Sequence, residues 1–185
     1  WGVLGRNGAG KTTLLHSLAG LRKADAGIIE IAGKTVSQWS RSELACLIGL
    51  LQQDHLDALP ATVIETALLG RHPHAQGQFF DSKEDLRLAE QALKTLGILN
   101  LAERQLISLS GGERQRLALA MLLVQQPSLL LLDEPSNHLD IEAVEAMEMA
   151  LNDYDGAILV VSHDEVLLNK IGIERRINLC SLTDQ

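Results

Sequence analysis

Residues 5–12 read Gly5-Arg6-Asn7-Gly8-Ala9-Gly10-Lys11-Thr12, a match to GxxxxGK[ST] in the context that this pattern needs. Before it, Gly2, Val3 and Leu4 form a short apolar stretch; after it, Leu14, Leu15 and Leu18 recur at helical spacing as far as Gly20. The segment reads strand, loop, helix. The glycines let the backbone curl until its N–H groups face one anion, and the dipole of the following helix adds to the same field. Lys11 supplies a point charge for β- and γ-phosphates, and the Thr12 hydroxyl a ligand for Mg²⁺. A glycine-rich turn before a helix is the competing reading, and the strand in front disfavours it.

Outward from this loop, helices and strands alternate. Ile28, Ile29, Glu30 and Ile31 followed by Ala32-Gly33-Lys34 predict a hairpin. Ser82 with Asp85 three residues on announces a helix over 82–97, with Leu86, Ala89, Leu93 and Leu96 as its apolar stripe. Ser110 with Glu113 announces another, carrying Leu117, Ala120, Met121 and Val124 on one face, and Pro127 stops it. Residues 129–132 are four leucines, apolar on both faces as in a strand covered by helices on each side. A helix over 141–152 and a second apolar run at 157–161 follow, the latter ending at Ser162-His163. The expected fold is α/β, with a parallel sheet flanked by helices and ligands at the carboxyl ends of its strands. Gly5, Asp133 and His163 all fall at such ends.

Composition narrows the function. A chain of 185 residues suits one domain. Sixteen Lys and Arg against 24 Asp and Glu give a net charge of −8, the wrong sign for a protein that neutralises many phosphates, so direct nucleic acid binding is not expected. A phosphate compound would be held by local N–H groups and one or two cations. No apolar run approaches the roughly 18 residues of a membrane-spanning helix. Cys46 and Cys180 stand in neither metal-ligand nor redox spacing. His72 and His74 flank Pro73 with no carboxylate or thiol cluster beside them, and read as loop histidines rather than metal ligands.

Two further groups carry chemistry. Asp133 and Glu134 follow a buried strand, and successive side chains leaving a strand point different ways: Asp133 toward Mg²⁺, Glu134 toward an attacking water. Residues 109–113, LSGGE, place two glycines and a capping serine at a helix start, which presents free N–H groups to an anion.

Residues 109–116, LSGGERQR, resemble the signature motif of the ABC ATPases, and residues 5–12 and 129–135 resemble that family's Walker A and Walker B motifs in order. Gln53 resembles the Q-loop glutamine, with Gln52 where the family usually has Pro. Residues 136–140, SNHLD, resemble the D-loop, and His163 the switch histidine. The resemblance implies a P-loop NTPase-type ABC domain over 1–185, with a helical signature subdomain at about 54–125 inserted between the phosphate loop and Walker B. The chain opens at Trp1 inside a strand and is expected to be N-terminally truncated, without the family's adenine-stacking aromatic.

The same resemblance implies ATP hydrolysis with Mg²⁺. Nucleotide would contact Gly5, Asn7, Gly8, Ala9, Gly10, Lys11, Thr12 and Thr13, and Thr12, Gln53 and Asp133 would surround the metal. Glu134, His163 and Gln53 would be catalytic. Ser110, Gly111, Gly112 and Glu113 would act on the nucleotide of a second, facing ABC domain, with Asp140 in the D-loop. Residues 62–74, TVIETALLGRHPH, and the helix after them resemble importers of iron chelates, haem or cobalamin. That implies permease partners, a peripheral place on the cytoplasmic face of the membrane, and signalling to the permease through Val63, Ile64 and Leu68. Residues 137–164 look more like a soluble tandem-ABC factor acting on the ribosome, which stands as the alternative.

Overall fold

The computed structural model describes residues 1–6, 8–52, 60–75, 82–137 and 139–179. In chain order the elements are β1 (Gly2–Leu4), α1 (Lys11–Leu18), β2 (Glu30–Ile31), β3 (Lys34–Thr35), α2 (Arg41–Leu47), β4 (Ile48–Leu51), α3 (Val63–Leu68), a 3-10 stretch (Leu69–His74), α4 (Lys83–Thr95), α5 (Gly111–Gln125), β5 (Leu129–Asp133), α6 (Ile141–Asn152), β6 (Ala157–Val161), α7 (Glu165–Lys170) and β7 (Arg176–Asn178). Five strands form one sheet in the order β4-β5-β6-β1-β7, and every pairing in it is parallel.

At β5 the sheet is buried on both faces. Leu130 and Leu132 enter a core shared with α3, α4, α5, α6 and α7, while Leu131 enters the opposite one with Val3, Leu15, Leu44 and Ile48. Each of the three is 0% exposed, worth about 2 kcal/mol apiece by transfer from water. Asp133 ends this strand opposite Val161 of β6, and β1 runs beside β6 with Val3 opposite Val161. The chain segments holding Gly5, Asp133 and His163 therefore leave the sheet at the same edge. At its far side, β4 ends with Leu51 opposite Leu132, so the strand that leads toward Gln53 finishes next to Asp133.

Several local expectations change. Leu86 is 43% exposed, and the buried side of α4 consists of Ala89, Ala92 and Leu93. Helix α5 is buried almost all round, with Leu119 and Leu122 in the core as well as Leu117, Ala120 and Val124; it is central rather than one-sided. The hairpin strand keeps only Glu30 and Ile31, and Ile28 is 79% exposed. The 3-10 stretch lies so close to α5 that a Cβ on Gly70 would stand 2.2 Å from the Met121 carbonyl oxygen.

Polar side chains close the ends of these helices. Arg71 Nη1 donates to Val124 O at 3.2 Å and its Nε to Asp85 at 2.7 Å. His74 Nε2 lies 2.8 Å from Gln125 O, and Gln125 Nε2 donates to Ile48 O at 2.9 Å. His74 thus serves the carbonyl end of α5, and among the described residues no group of three His, Cys, Asp or Glu is placed to hold a metal ion.

Candidate functional site

The loop after β1 curls as its glycines allow. Gly8 and Gly10 have φ of +83° and +86°, a region costly for residues with a Cβ. Gly10 caps α1, and Ala9 N donates to Arg6 O at 3.0 Å to close the turn. Lys11, the first residue of the helix, is 8% exposed. Its ammonium donates to Gly5 O at 2.7 Å and Arg6 O at 3.2 Å, and lies 3.2 Å from His163 Nε2. These acceptors hold the charge inside the loop, facing the space that an anion would fill.

One turn of chemistry away, Thr12 Oγ1 donates to Asp133 Oδ2 at 2.6 Å. Asp133 is 3% exposed while Thr12 is open to solvent, so a hydroxyl from α1 and a buried carboxylate from β5 meet at the floor of the loop's cleft. Glu134 follows with φ of +47°, a left-handed backbone that costs a non-glycine residue about 1–3 kcal/mol. The conformation is held by Glu134 N donating to Val161 O at 2.8 Å and Asn137 N to Glu134 O at 3.1 Å. The Glu134 carboxylate meets His163: Oε1 is 3.3 Å from Nε2, and Oε2 accepts from His163 N at 3.3 Å.

His163 therefore stands between Lys11 and Glu134 through one nitrogen. Without a hydrogen, Nε2 accepts from Lys11; with one, it donates to Glu134. The two bonds exclude each other, and the tautomer selects between them. Gly8, Gly10, Lys11, Thr12, Thr13, Asp133 and Glu134 line a cleft of about 330 Å³, ample for the phosphates of a nucleotide. Asn7 and Gln53 lie outside the described residues.

Residues 1–137 match the family described as ABC transporter. This chain belongs to that family. The ABC chain is 37% identical over 172 residues to the hemin import ATP-binding protein of Gloeobacter violaceus, covering 88% of its own length and 62% of the relative. It is 35% identical over 166 residues to the iron(3+)-hydroxamate import ATP-binding protein of Bacillus subtilis, with 88% and 62% covered. It spans less than two thirds of the length of either. Among solved structures it is similar to a dimeric ATP-binding cassette in a post-hydrolysis state bound to ADP and Pi, at 27% identity and a TM-score of 0.77, covering 96% of this chain and 79% of that one.

The remaining ABC motif residues lie away from the cleft. Ser110 caps α5: its Oγ accepts from Glu113 N at 3.2 Å, and Glu113 Oε2 accepts from Ser110 N at 2.7 Å. That backbone bond, with the serine hydroxyl and Arg104, holds the Glu113 carboxyl below its ordinary range. Gly111 is exposed with open space around it, and Gly112 is half-buried. Asp140 caps α6 by accepting from Ala143 N at 2.8 Å. None of Ser110, Gly111, Gly112, Glu113 or Asp140 lines the phosphate-loop cleft of its own chain. Sequence reasoning missed Gln115, which is buried with its amide directed to the turn after Glu134; its place inside LSGGERQR was the available signal.

Proposed function

We propose that this chain binds and hydrolyses ATP as one half of a head-to-tail pair of ABC domains, and that the pair powers import of a metal chelate, haem or cobalamin. The observation that carries the reading is the convergence of Lys11, Thr12, Asp133, Glu134 and His163 on one cleft at the carboxyl edge of the sheet. Residues 5 and 7–13, including Gly5, Asn7, Ala9 and Thr13, would hold the phosphates through backbone N–H groups, with Lys11 exchanging its loop carbonyls for phosphate oxygens. The Thr12 hydroxyl and Asp133 carboxylate are hard oxygen donors suited to Mg²⁺, and with Gln53 they would hold it to neutralise phosphate charge. Glu134 would take a proton from the attacking water, and His163, switching between Glu134 and Lys11, would orient both. The protein mainly positions groups and stabilises charge, as phosphoryl transfer requires.

The exposed end of α5, with Ser110, Gly111, Gly112 and Glu113, is free to meet the nucleotide of the facing domain, and Asp140 would lie along the same interface. The importer assignment follows the hemin and hydroxamate relatives, and the region 54–125 would be the helical subdomain that docks on permease subunits. Val63 is fully buried and Ile64 and Leu68 pack on the core, so they would transmit motion from within, while Leu69, 37% exposed, offers an apolar contact. Among the described residues no helix is long and apolar enough to cross a membrane, and the chain would sit peripherally on the cytoplasmic face.

The test uses the full-length protein. Glu134→Gln keeps shape and loses the base, so sizing chromatography with Mg-ATP should show a stable dimer with no phosphate released. A monomer under those conditions would contradict the shared site or the base. Co-purification from detergent-solubilised membranes separates the transport reading from its rival: recovery with ribosomes and without a membrane partner would end the importer assignment.

A further inference from the structure

We propose that Gln115 is a positioning residue for the hydrolytic base, holding from helix α5 the strained turn on which Glu134 sits. The inference rests on the reading of Glu134 as base and adds to it a residue and a route. Glu134 adopts φ of +47°, which its own covalent structure disfavours, so the turn needs outside support. Two of its hydrogen bonds come from β6 and from within the turn. Another comes from a different layer: Gln115 Nε2 donates to Pro135 O at 3.4 Å. Pro135 is buried, and among the described residues the donor to its carbonyl is Gln115, an acceptor being costly to leave unpaired away from water.

Gln115 is itself 8% exposed. A buried primary amide is costly unless it has a partner, and a leucine would serve packing alone better. The bond is long for an amide and a carbonyl, so a shift of α5 by a few tenths of an ångström would make or loosen it. Helix α5 is one continuous element of 15 residues whose capping residue is Ser110. Its N-terminal end faces outward while Gln115, a turn and a half further on, grips the Glu134 turn. Docking of that end on the facing domain is thereby felt at the base of this chain's own site.

The experiment compares Gln115→Met, of similar length without a donor, Gln115→Glu, an acceptor only, and Gln115→His, which restores a ring N–H donor. In the full-length protein with Mg-ATP, the Met and Glu variants should lose about tenfold in kcat, with KM for ATP within about twofold of wild type, and His should recover part of the loss. Melting temperatures are recorded beside the rates. A Met variant with kcat within about twofold of wild type would overturn the proposal, as would parallel losses in kcat, KM and melting temperature that His does not repair. Should the Met variant not fold, Glu against His decides in the same way. Glu134→Gln is assayed alongside. If it still hydrolyses ATP, the reading of the base falls; if it is inactive while Gln115→Met is unimpaired, only the positioning role falls.

Discussion

Replacing Lys11 by Met keeps most of the side chain's length and apolar stem while deleting its charge, and the surroundings of Nζ give the expected size of the effect. The ammonium is 2.7 Å and 3.2 Å from the Gly5 and Arg6 carbonyls and 3.2 Å from His163 Nε2, in a residue only 8% exposed. A unit charge about 4 Å from an anionic oxygen, at the effective dielectric of a partly buried site, contributes on the order of 4 kcal/mol before desolvation. Part of that is already spent on the loop carbonyls in the free protein, which leaves about 3 kcal/mol for the transition state and predicts a fall in turnover of about two orders of magnitude. Phosphate release by the full-length protein at saturating Mg-ATP measures it. Thermal unfolding without nucleotide measures the separate loss of the two loop bonds, about 1 kcal/mol each or less. Turnover within about threefold of wild type, in a variant that melts normally, would refute the assignment of Lys11 to the phosphates.

Gly70→Ala places a Cβ 2.2 Å from the Met121 carbonyl oxygen; the helix and the 3-10 stretch must part, and we expect about 3 kcal/mol of destabilisation, read as a melting temperature lower by roughly 6–12 °C. Gly111→Ala, with nothing within 4 Å of the new Cβ, should melt like wild type, and a comparable loss in both would show that the contact at Gly70 is not the cause. Glu113→Ala removes a carboxylate whose folded pKa lies below its ordinary 4.5 because it accepts from Ser110 N and Oγ. That contribution is fully present above about pH 4.5 and disappears as pH falls through the lowered folded value. The variant should therefore melt about 2–4 °C lower at neutral pH and draw level with wild type only as pH falls through that lowered value, and a constant gap throughout the acid titration would count against the linkage.

The phosphate loop, the Asp133-Glu134 pair and strands β5 and β6 were legible because each is encoded locally, by glycines at fixed offsets or by apolar runs too short for anything but a buried strand. The caps of α4 and α5 were legible for the same reason, through a serine and an acid three residues apart. The same spacing at Ser40 and Glu43, and at Thr62 and Glu65, marks α2 and α3; sequence reading passed over these starts because the helices are only seven and six residues long and show no full apolar period. Strand β4 was hidden by Gly49, which fits because Pro127, Leu122 and Leu130 crowd its face. The positive φ of Glu134 was not legible at all. Nothing in the residue's own chemistry asks for it, and it exists because β6 and α5 impose it.

The order of the sheet also bears on how the molecule comes into being. Strand β1 has β6 on one side and β7 on the other, and those partners span residues 157–161 and 176–178. During synthesis β1 gains neither of these strand partners until residue 157 and beyond have emerged, and closing so long a stretch is slow. The phosphate loop is then synthesised well before the sheet around β1 is complete. A nascent chain halted before residue 157 would contain every residue of that loop and still lack both strands that flank β1.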